Sequence, residues 1–199
     1  GATFTLLHAP VIQQGAEHRI ESFHLETDIA DLDTSACALP DTSNWGFELD
    51  DGSDPPPGFE KATGFFTAAR STSESHSGAA SCALTWKNNA NQDMVQGLWV
   101  PVSPGDPVRF DLWVLDGDDD GRARPGLTFY DNAKAALGSE WAVQISVDAP
   151  GEWQDLFLEA DAPADAAFVR GLVRMYDVGG GADGEATLYI DDWTLSNAF

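Results

Sequence analysis

Basic residues are scarce in this chain. Its 199 residues include 10 Lys and Arg against 33 Asp and Glu, which gives a formal net charge of −23 at pH 7. A surface this acidic repels nucleic acids and anionic membranes at long range, so neither is expected as a partner. Because the acidic residues are spread through the predicted loops, we expect most of them to keep the protein soluble in salt and some to bind a cation.

Cysteine is also scarce, with only Cys37 and Cys82 in the whole chain. An even number of cysteines in a chain otherwise poor in them allows one disulfide, and we predict that these two residues form it. The alternative is a pair of buried free thiols. The disulfide would connect the N-terminal segment to the strand predicted over Ala79–Trp86. The sequence also lacks an apolar run long enough to cross a membrane.

Catalytic motifs are absent from the sequence as well. It has no serine-centred nucleophile elbow, no HExxH zinc motif and no phosphate-binding loop. Its four histidines lack metal-ligand spacing. Two carboxylates can hydrolyse a glycoside, but among 33 acidic residues such a pair is expected by chance. We therefore predict that the chain is not an enzyme, and keep an enzyme as the less favoured alternative.

Short strand signals fill the chain from residue 64 onward. Val, Phe, Trp, Leu and Thr dominate these segments, and Gly, Pro, Asp and Asn separate them. The predicted strands are Gly64–Ala69, Ala79–Trp86, Gly97–Val102, Val108–Leu115, Gly126–Tyr130, Trp141–Val147, Trp153–Leu158, Ala167–Tyr176 and Ala186–Leu195. Many short, evenly spaced strands predict an all-β fold, a β-sandwich jelly roll of two antiparallel sheets. Residues 132–137 are compatible with one helical turn.

Residues 1–40 differ from the rest of the chain. They combine one clear strand signal with a mixed segment that fits either a strand or a short helix. We interpret them as an N-terminal extension packed on the domain or as the tail of a preceding domain. Residues 41–199 are interpreted as the jelly-roll domain itself.

Alternation along the strands indicates which aromatic side chains point away from the core. Phe110 and Leu112 share one face of their strand, so Trp113 lies on the other. Trp and Tyr rings stack on the apolar faces of sugars. If the strands concerned share one sheet, its concave face would form a glycan-binding groove, and the predicted lining is Trp99, Trp113, Tyr130, Arg174 and Tyr176. The alternative is that residues 1–40 cover some of these side chains.

Several short motifs occur in an order that carries a family resemblance. They are the short strand signal Asn44–Glu48 (NWGFE), His76–Ala80 (HSGAA), Val100–Gly105 (VPVSPG) leading into the aromatic strand Arg109–Leu115, Gly151–Trp153 (GEW) and Ile190–Asp192 (IDD). The chain resembles the calcium-containing β-jelly-roll carbohydrate-binding modules appended to xylanases and β-glucanases. The resemblance covers about Asn44 to Leu195. It places Trp153 and Trp193 in the core and leaves Trp45, Trp86 and Trp141 as candidates for the rim.

The resemblance also implies a structural calcium ion that ties the first strand to the last. Carried over to this sequence, its ligands are Gly46, Gly78 and Asp191, with Glu48 as a further side-chain ligand. Carboxylates on two strands that meet would repel each other unless a cation lay between them. The alternative is a solvated acidic edge without an ion.

A second acidic segment, Asp116–Arg122, has Asp at alternate positions followed by Gly. This pattern is like the first half of an EF-hand loop. The position of the closing acidic ligand is occupied by Leu127, and no helices flank the segment. We therefore favour a solvated hairpin tip over a second calcium site.

The predicted function is a secreted, non-catalytic carbohydrate-binding module. We expect it to be monomeric and linked in cis to a polysaccharide-degrading enzyme, which it tethers to the polymer. The net charge of −23 disfavours uronates, so the predicted ligand is a neutral glycan such as a β-glucan or xylan, with Arg170 and Arg174 as a local exception. The alternatives are a structural spacer or protein-interaction domain and, less favoured, a jelly-roll hydrolase or lyase.

Overall fold

The computed structural model describes residues 44–86, 91–117, 121–147, 149, 151–176 and 185–196. Within these ranges the regular secondary structure consists of β-strands. No helix long and apolar enough to cross a membrane occurs there. The strands are β1 (Phe59–Lys61), β2 (Phe66–Ser71), β3 (Ser81–Trp86), β4 (Gln92–Gln96), β5 (Val100–Pro101), β6 (Pro107–Asp116), β7 (Arg122–Tyr130), β8 (Ala136–Trp141), β9 (Trp153–Asp161), β10 (Phe168–Tyr176) and β11 (Ala186–Ser196). The predicted extension over residues 1–40 lies outside the described residues, so that division stays a prediction.

The strands form two antiparallel sheets, which confirms the predicted fold class. Sheet A has the order β1-β4-β10-β7-β8, and the short β5 also pairs with β10. Sheet B has the order β2-β3-β11-β6-β9. Most neighbours in each sheet are distant in sequence, as when β11 inserts between β3 and β6. This crossing of connections between layers is typical of jelly-roll sandwiches.

The hydrophobic core lies between the sheets and follows the predicted alternation. On β6, Phe110 and Leu112 are fully buried, and Val169 and Val173 of β10 are fully buried on the facing sheet. At its centre, the Trp193 ring lies 4.6 Å from the ring of Phe110, centroid to centroid, and its Nε1 donates to Gln96 Oε1 at 3.1 Å. Full burial of a large apolar side chain contributes about 1.5–3 kcal/mol, so this layer dominates the stability of the sandwich.

The strand predicted over Asn44–Glu48 is instead a turn. The amide of Phe47 donates to the carbonyl of Asn44 at 2.9 Å, and Phe47 has a φ of 54°. A left-handed backbone costs a bulky residue about 1–2 kcal/mol. The fully buried Phe47 ring offsets this cost because it stacks on Phe59 with centroids 4.8 Å apart.

The predicted disulfide between Cys37 and Cys82 is not seen in the structure. Cys82 lies on β3 as a free thiol with no exposed surface, packed within the core between the sheets. Burial raises the pKa of the Cys82 thiol far above its usual value, because the thiolate is disfavoured away from water. Cys37 lies outside the described residues.

The two tryptophans that the resemblance assigned to the core differ in position. Trp193 is fully buried at the centre of the core, as expected. Trp153 begins β9 and is only partly buried, with its ring edge-on to His76 at 5.6 Å on the outside of sheet B. The expectation for Trp153 was therefore wrong. Trp86, a rim candidate in the sequence, is 1% exposed and belongs to the core.

Candidate functional site

The structure divides the five predicted binding residues between the two sheets. Tyr130 is on β7, Arg174 and Tyr176 are on β10, and Trp99 directly precedes β5, so these four belong with sheet A. Trp113 is on β6 in sheet B. The strands therefore do not share one sheet, and grouping Trp113 with the other four was wrong. Alternation indicates which side of a strand a residue occupies, but not which sheet the strand joins.

Trp99 and Tyr130 form one end of the outward surface of sheet A. Their rings meet edge to face with centroids 4.7 Å apart, and the ring of Phe168 lies 6.1 Å from Trp99. Two cations lie over the Trp99 ring, Lys134 Nζ at 4.5 Å and Arg170 Cζ at 4.8 Å from its centroid. Contacts of this kind contribute about 0.5–1 kcal/mol each at exposed sites, and together they restrain the indole.

Trp141 forms the other aromatic end of the same surface. It is the last residue of β8 and is paired in register with Gly126 of β7. The guanidinium carbon of Arg174 lies 4.1 Å from the centroid of the Trp141 ring, and that of Arg124 lies 5.9 Å away. Trp141 is half-buried, so part of the indole is open to a ligand.

Small hydroxyl side chains lie between the two aromatic ends. Thr128 of β7 and Ser139 of β8 are register partners, and their hydroxyl oxygens are 2.8 Å apart. Hydroxyls of this kind both donate and accept, as the hydroxyls of a sugar do. Gly126 and Tyr130 are four residues apart on β7, about 13 Å along an extended strand. The surface therefore combines two aromatic platforms with a polar centre.

Acidic residues of β4 and β1 hold the two central arginines in place. Arg174 donates two parallel bonds to Asp93, with both Nε–Oδ1 and Nη2–Oδ2 at 2.7 Å. These bonds raise the pKa of Arg174 further above its usual value. Arg170 donates from Nε to the carbonyl of Gln96 at 2.6 Å and from Nη2 to Glu60 Oε2 at 2.7 Å. Both guanidinium groups are thereby fixed against their indole rings before any ligand binds.

We call this surface the outer face of sheet A, and its members are Trp99, Arg122, Arg124, Thr128, Tyr130, Lys134, Ser139, Trp141, Phe168, Arg170 and Arg174. The sequence alone did not select Trp141, Phe168 or Lys134 for it. Phe168 lies on the same side of β10 as Arg170 and Arg174, because even numbers of positions separate them, so alternation could have predicted that it faces outward. Lys134 lies in the β7–β8 turn, where no periodicity applies.

The outward side of sheet B carries a separate aromatic cluster around Trp113. The imidazole of His76 stacks on the Trp113 ring with centroids 3.7 Å apart and an angle of 12° between the planes. His76 Nδ1 also lies 2.6 Å from Asp192 Oδ2. One face of the Trp113 ring is therefore already covered by the protein.

The residues predicted to bind calcium meet at the turn that contains His76–Ala80. Asp191 Oδ2 accepts from the amides of His76 and Ser77 at 2.8 and 3.1 Å. Glu48 Oε1 accepts from the amides of Ala79 and Ala80 at 2.7 and 3.3 Å. Gly78 lies directly against the Glu48 carboxylate and has a φ of 60°, so a side chain there would collide with it.

The donor set at this turn fits a hard cation in its chemistry. Asp191 is fully buried, and burial raises the pKa of its carboxyl above the usual value although three amides oppose the shift. Glu48 and Asp191 supply only oxygen atoms, which Ca²⁺ prefers. Among the described residues, no three or more His, Cys, Asp or Glu side chains are grouped to hold a metal. A calcium site here would therefore depend on backbone carbonyls as well, including those of Gly46 and Gly78.

The second acidic segment is described only in part. Asp116 is buried, with its Oδ2 at 3.9 Å from Arg122 Nη1. Asp118, Asp119 and Asp120 lie outside the described residues. The interpretation of this segment as a solvated hairpin tip stays a prediction.

Comparison with known proteins identifies neighbours in fold. No family model matches the chain, and no curated protein matches it. Among solved structures, the C-terminal family 22 carbohydrate binding module of Xyn10B from Clostridium thermocellum is 17% identical, with a TM-score of 0.54 and coverage of 77% of this chain and 90% of that one. The CBM22-1–GH10 modules of the same enzyme, complexed with xylohexaose, are 12% identical with a TM-score of 0.55. The match covers 70% of this chain and 26% of that structure.

A further neighbour comes from a different class of protein. The enzymatically active domain of tailspike protein 4 from bacteriophage CBA120 is 12% identical, with a TM-score of 0.55. The match covers 77% of this chain and 21% of the tailspike structure. At these identities the comparisons show a shared fold, the β-sandwich of carbohydrate-binding modules, and the function has to be argued from the residues of this chain.

Proposed function

We propose that this chain is a non-catalytic carbohydrate-binding module and that the outer face of sheet A holds the glycan. The observation that carries the proposal is the pair of tryptophans on this face. Trp99 and Trp141 are both half-buried, outward-facing and fixed by cations against their rings. Rings held in this way stack on sugars without first losing conformational freedom, which favours binding.

The ligand that fits this face is an extended polysaccharide with a neutral backbone, a xylan or a β-glucan. The two aromatic ends lie at opposite parts of β7 and β8, so they suit a chain of several sugar rings rather than one monosaccharide. Two neighbours in fold are a family 22 carbohydrate binding module and a module pair complexed with xylohexaose, which favours xylan as the first ligand to test.

The module would act by proximity. Secreted as a monomer and linked in cis to a polysaccharide-degrading enzyme, it would raise the local concentration of that enzyme on the polymer. A calcium ion bound between Gly46, Glu48, Gly78 and Asp191 would stabilise the fold. Asp191 lies on β11 of sheet B, so this ion would have no direct part in binding at sheet A.

Calorimetric titration with xylohexaose and a β-glucan oligosaccharide tests this function. Wild-type protein should bind at least one of them, and Trp99→Ala and Trp141→Ala should each weaken binding without a large change in melting temperature. Trp113→Ala is the matched control, because that ring lies on sheet B under His76. Its affinity should equal that of the wild type.

Two results would contradict the proposal. Loss of binding in Trp113→Ala together with full binding in Trp99→Ala and Trp141→Ala would move the site to sheet B. Release of reducing sugar from the same glycans by the purified chain would identify an enzyme instead.

A further inference from the structure

Positive charge is concentrated on the outer face of sheet A. Five of the 10 Lys and Arg residues of the chain lie there, namely Arg122, Arg124, Lys134, Arg170 and Arg174. The acidic residues on the outward side of the described strands of sheet A are Glu60 and Asp93, and Asp131 lies in the same turn as Lys134. In a chain of net charge −23, this face is therefore locally positive.

Three of these five cations face carboxylates of the protein. Arg174 is paired with Asp93 and Arg170 with Glu60, each at 2.7 Å. Arg122 Nη1 lies 3.9 Å from the buried Asp116 carboxylate. Their charge is largely balanced within the fold, and Arg170 and Arg174 position indole rings rather than attract anions.

Arg124 and Lys134 are different. Within the described residues, neither has a carboxylate within ion-pair distance. Arg124 Nε donates to the carbonyl of Ala142 at 2.6 Å, a neutral acceptor that leaves the positive charge uncompensated. Lys134 is exposed, and its ammonium contacts the rings of Trp99 and Phe168. Among the described residues, these two cations on one face lack a carboxylate partner, which a bound ligand could supply.

The two cations lie beside the two aromatic ends. Arg124 is next to Trp141, and Lys134 is over Trp99. Along β7, Arg124 and Tyr130 are six residues apart, about 20 Å in an extended strand. A glycan chain that covers both tryptophans would therefore pass both cations.

We propose that the outer face of sheet A selects glycans that carry carboxylate groups, such as uronic acid branches on a neutral backbone, and that Arg124 and Lys134 bind those carboxylates. This inference rests on the proposed function and refines its ligand. The acidic residues elsewhere on the protein do not prevent it, because charges are screened over about 8 Å at physiological ionic strength. The charges next to the ligand decide the preference.

The experiment compares two ligands of equal length in about 0.15 M salt, where screening is physiological. One is xylohexaose and the other is xylohexaose with a single glucuronic acid branch. Exposed ion pairs have modest strength, so the wild-type protein should bind the branched ligand about two- to fivefold more tightly. Arg124→Gln, Lys134→Gln or both should bring that ratio close to one. Lys134→Gln also removes a cation that restrains the Trp99 ring, so it should weaken binding of both ligands, and the ratio between them is the readout.

Arg109→Gln is the matched control, because it removes the same charge from sheet B. Its ratio should equal that of the wild type, and added salt should reduce the wild-type ratio. Equal binding of the two ligands, or an equal loss of preference in Arg109→Gln, would overturn the inference and leave the proposed function intact. Failure of both ligands to bind the wild-type protein would overturn the proposed function itself.

Discussion

Trp141 lies against Gly126 so closely that a Cβ atom on the glycine would come within 2.8 Å of two carbons of the indole ring. The two residues are register partners on β8 and β7. Any side chain at position 126 would push the ring away from the sheet. The missing side chain at position 126 therefore allows Trp141 to cover the strand and contact the guanidinium of Arg174.

Gly126→Val should weaken glycan binding about fivefold or more, because the displaced ring loses a stacking contact of about 1 kcal/mol. Overpacking at this site should also lower the free energy of unfolding by about 1–3 kcal/mol. Calorimetric titration measures the first effect and urea unfolding the second. Gly64→Val is the control, since a Cβ atom at position 64 would meet no other atom within 4 Å, and this variant should bind like the wild type. Unchanged affinity in Gly126→Val would show that the placement of Trp141 is irrelevant to binding.

The core and surface tryptophans should respond differently to truncation. Trp193→Ala should lower the free energy of unfolding by about 3–5 kcal/mol, as truncations of large buried side chains do. Trp153→Ala should lower it by about 1–2 kcal/mol, because its ring is only partly removed from water. Urea unfolding of both variants measures the difference. Equal losses would contradict the placement of Trp153 outside the core.

If calcium binds at this turn as proposed, its removal should lower the melting temperature. Glu48 and Asp191 contact the same turn, and without a cation the buried Asp191 carboxylate lacks a counter-charge. Calorimetry with excess calcium and with a chelator measures the shift. Asp191→Asn is the control and should melt at the same temperature in both conditions. Identical wild-type curves would rule out a stabilising ion at this turn.

The Cys82 thiol should be unreactive in the folded protein. Burial removes access, and the raised pKa means that the thiolate fraction stays negligible at pH 8. A Cys37→Ser variant leaves Cys82 as the single thiol of the chain. A chromogenic thiol reagent should give no signal with the native variant and one equivalent in denaturant. Rapid labelling under native conditions would contradict the buried position.

Alternation predicted the sandwich well wherever strands bury one face against the core. Along β6 and β10 it correctly assigned Phe110, Leu112, Val169 and Val173 to the interior.

β4 was not predicted as a separate strand, because its ends are glutamines. Gln92 and Gln96 are nonetheless fully buried, and Gln96 satisfies its carbonyl by accepting from Trp193 Nε1. A polar residue with an internal hydrogen-bond partner breaks the apolar pattern on which such predictions depend.

The candidate site was predictable only in part. Alternation correctly placed the side chains of Tyr130, Arg174 and Tyr176 on the outward side of their strands. It could not place Trp113, because the sheet that β6 joins is set by its pairing with β9 and β11, which are far away in sequence. Trp141 was taken as the first residue of a strand, whereas it ends β8. Residues 136–140 of that strand are all exposed, so they show no alternation by which the strand is recognised.

The exposure of β8 has a consequence for the motions of this surface. β8 is an edge strand of sheet A, and among the described strands it pairs with β7 alone. Edge strands with few buried contacts open locally at a low free-energy cost, so the amides of β8 should exchange with solvent faster than those of β7 or β10. Because β8 carries both Ser139 and Trp141, a bound glycan would hold the strand closed. Slowed hydrogen exchange in β8 would then report occupancy of the surface directly.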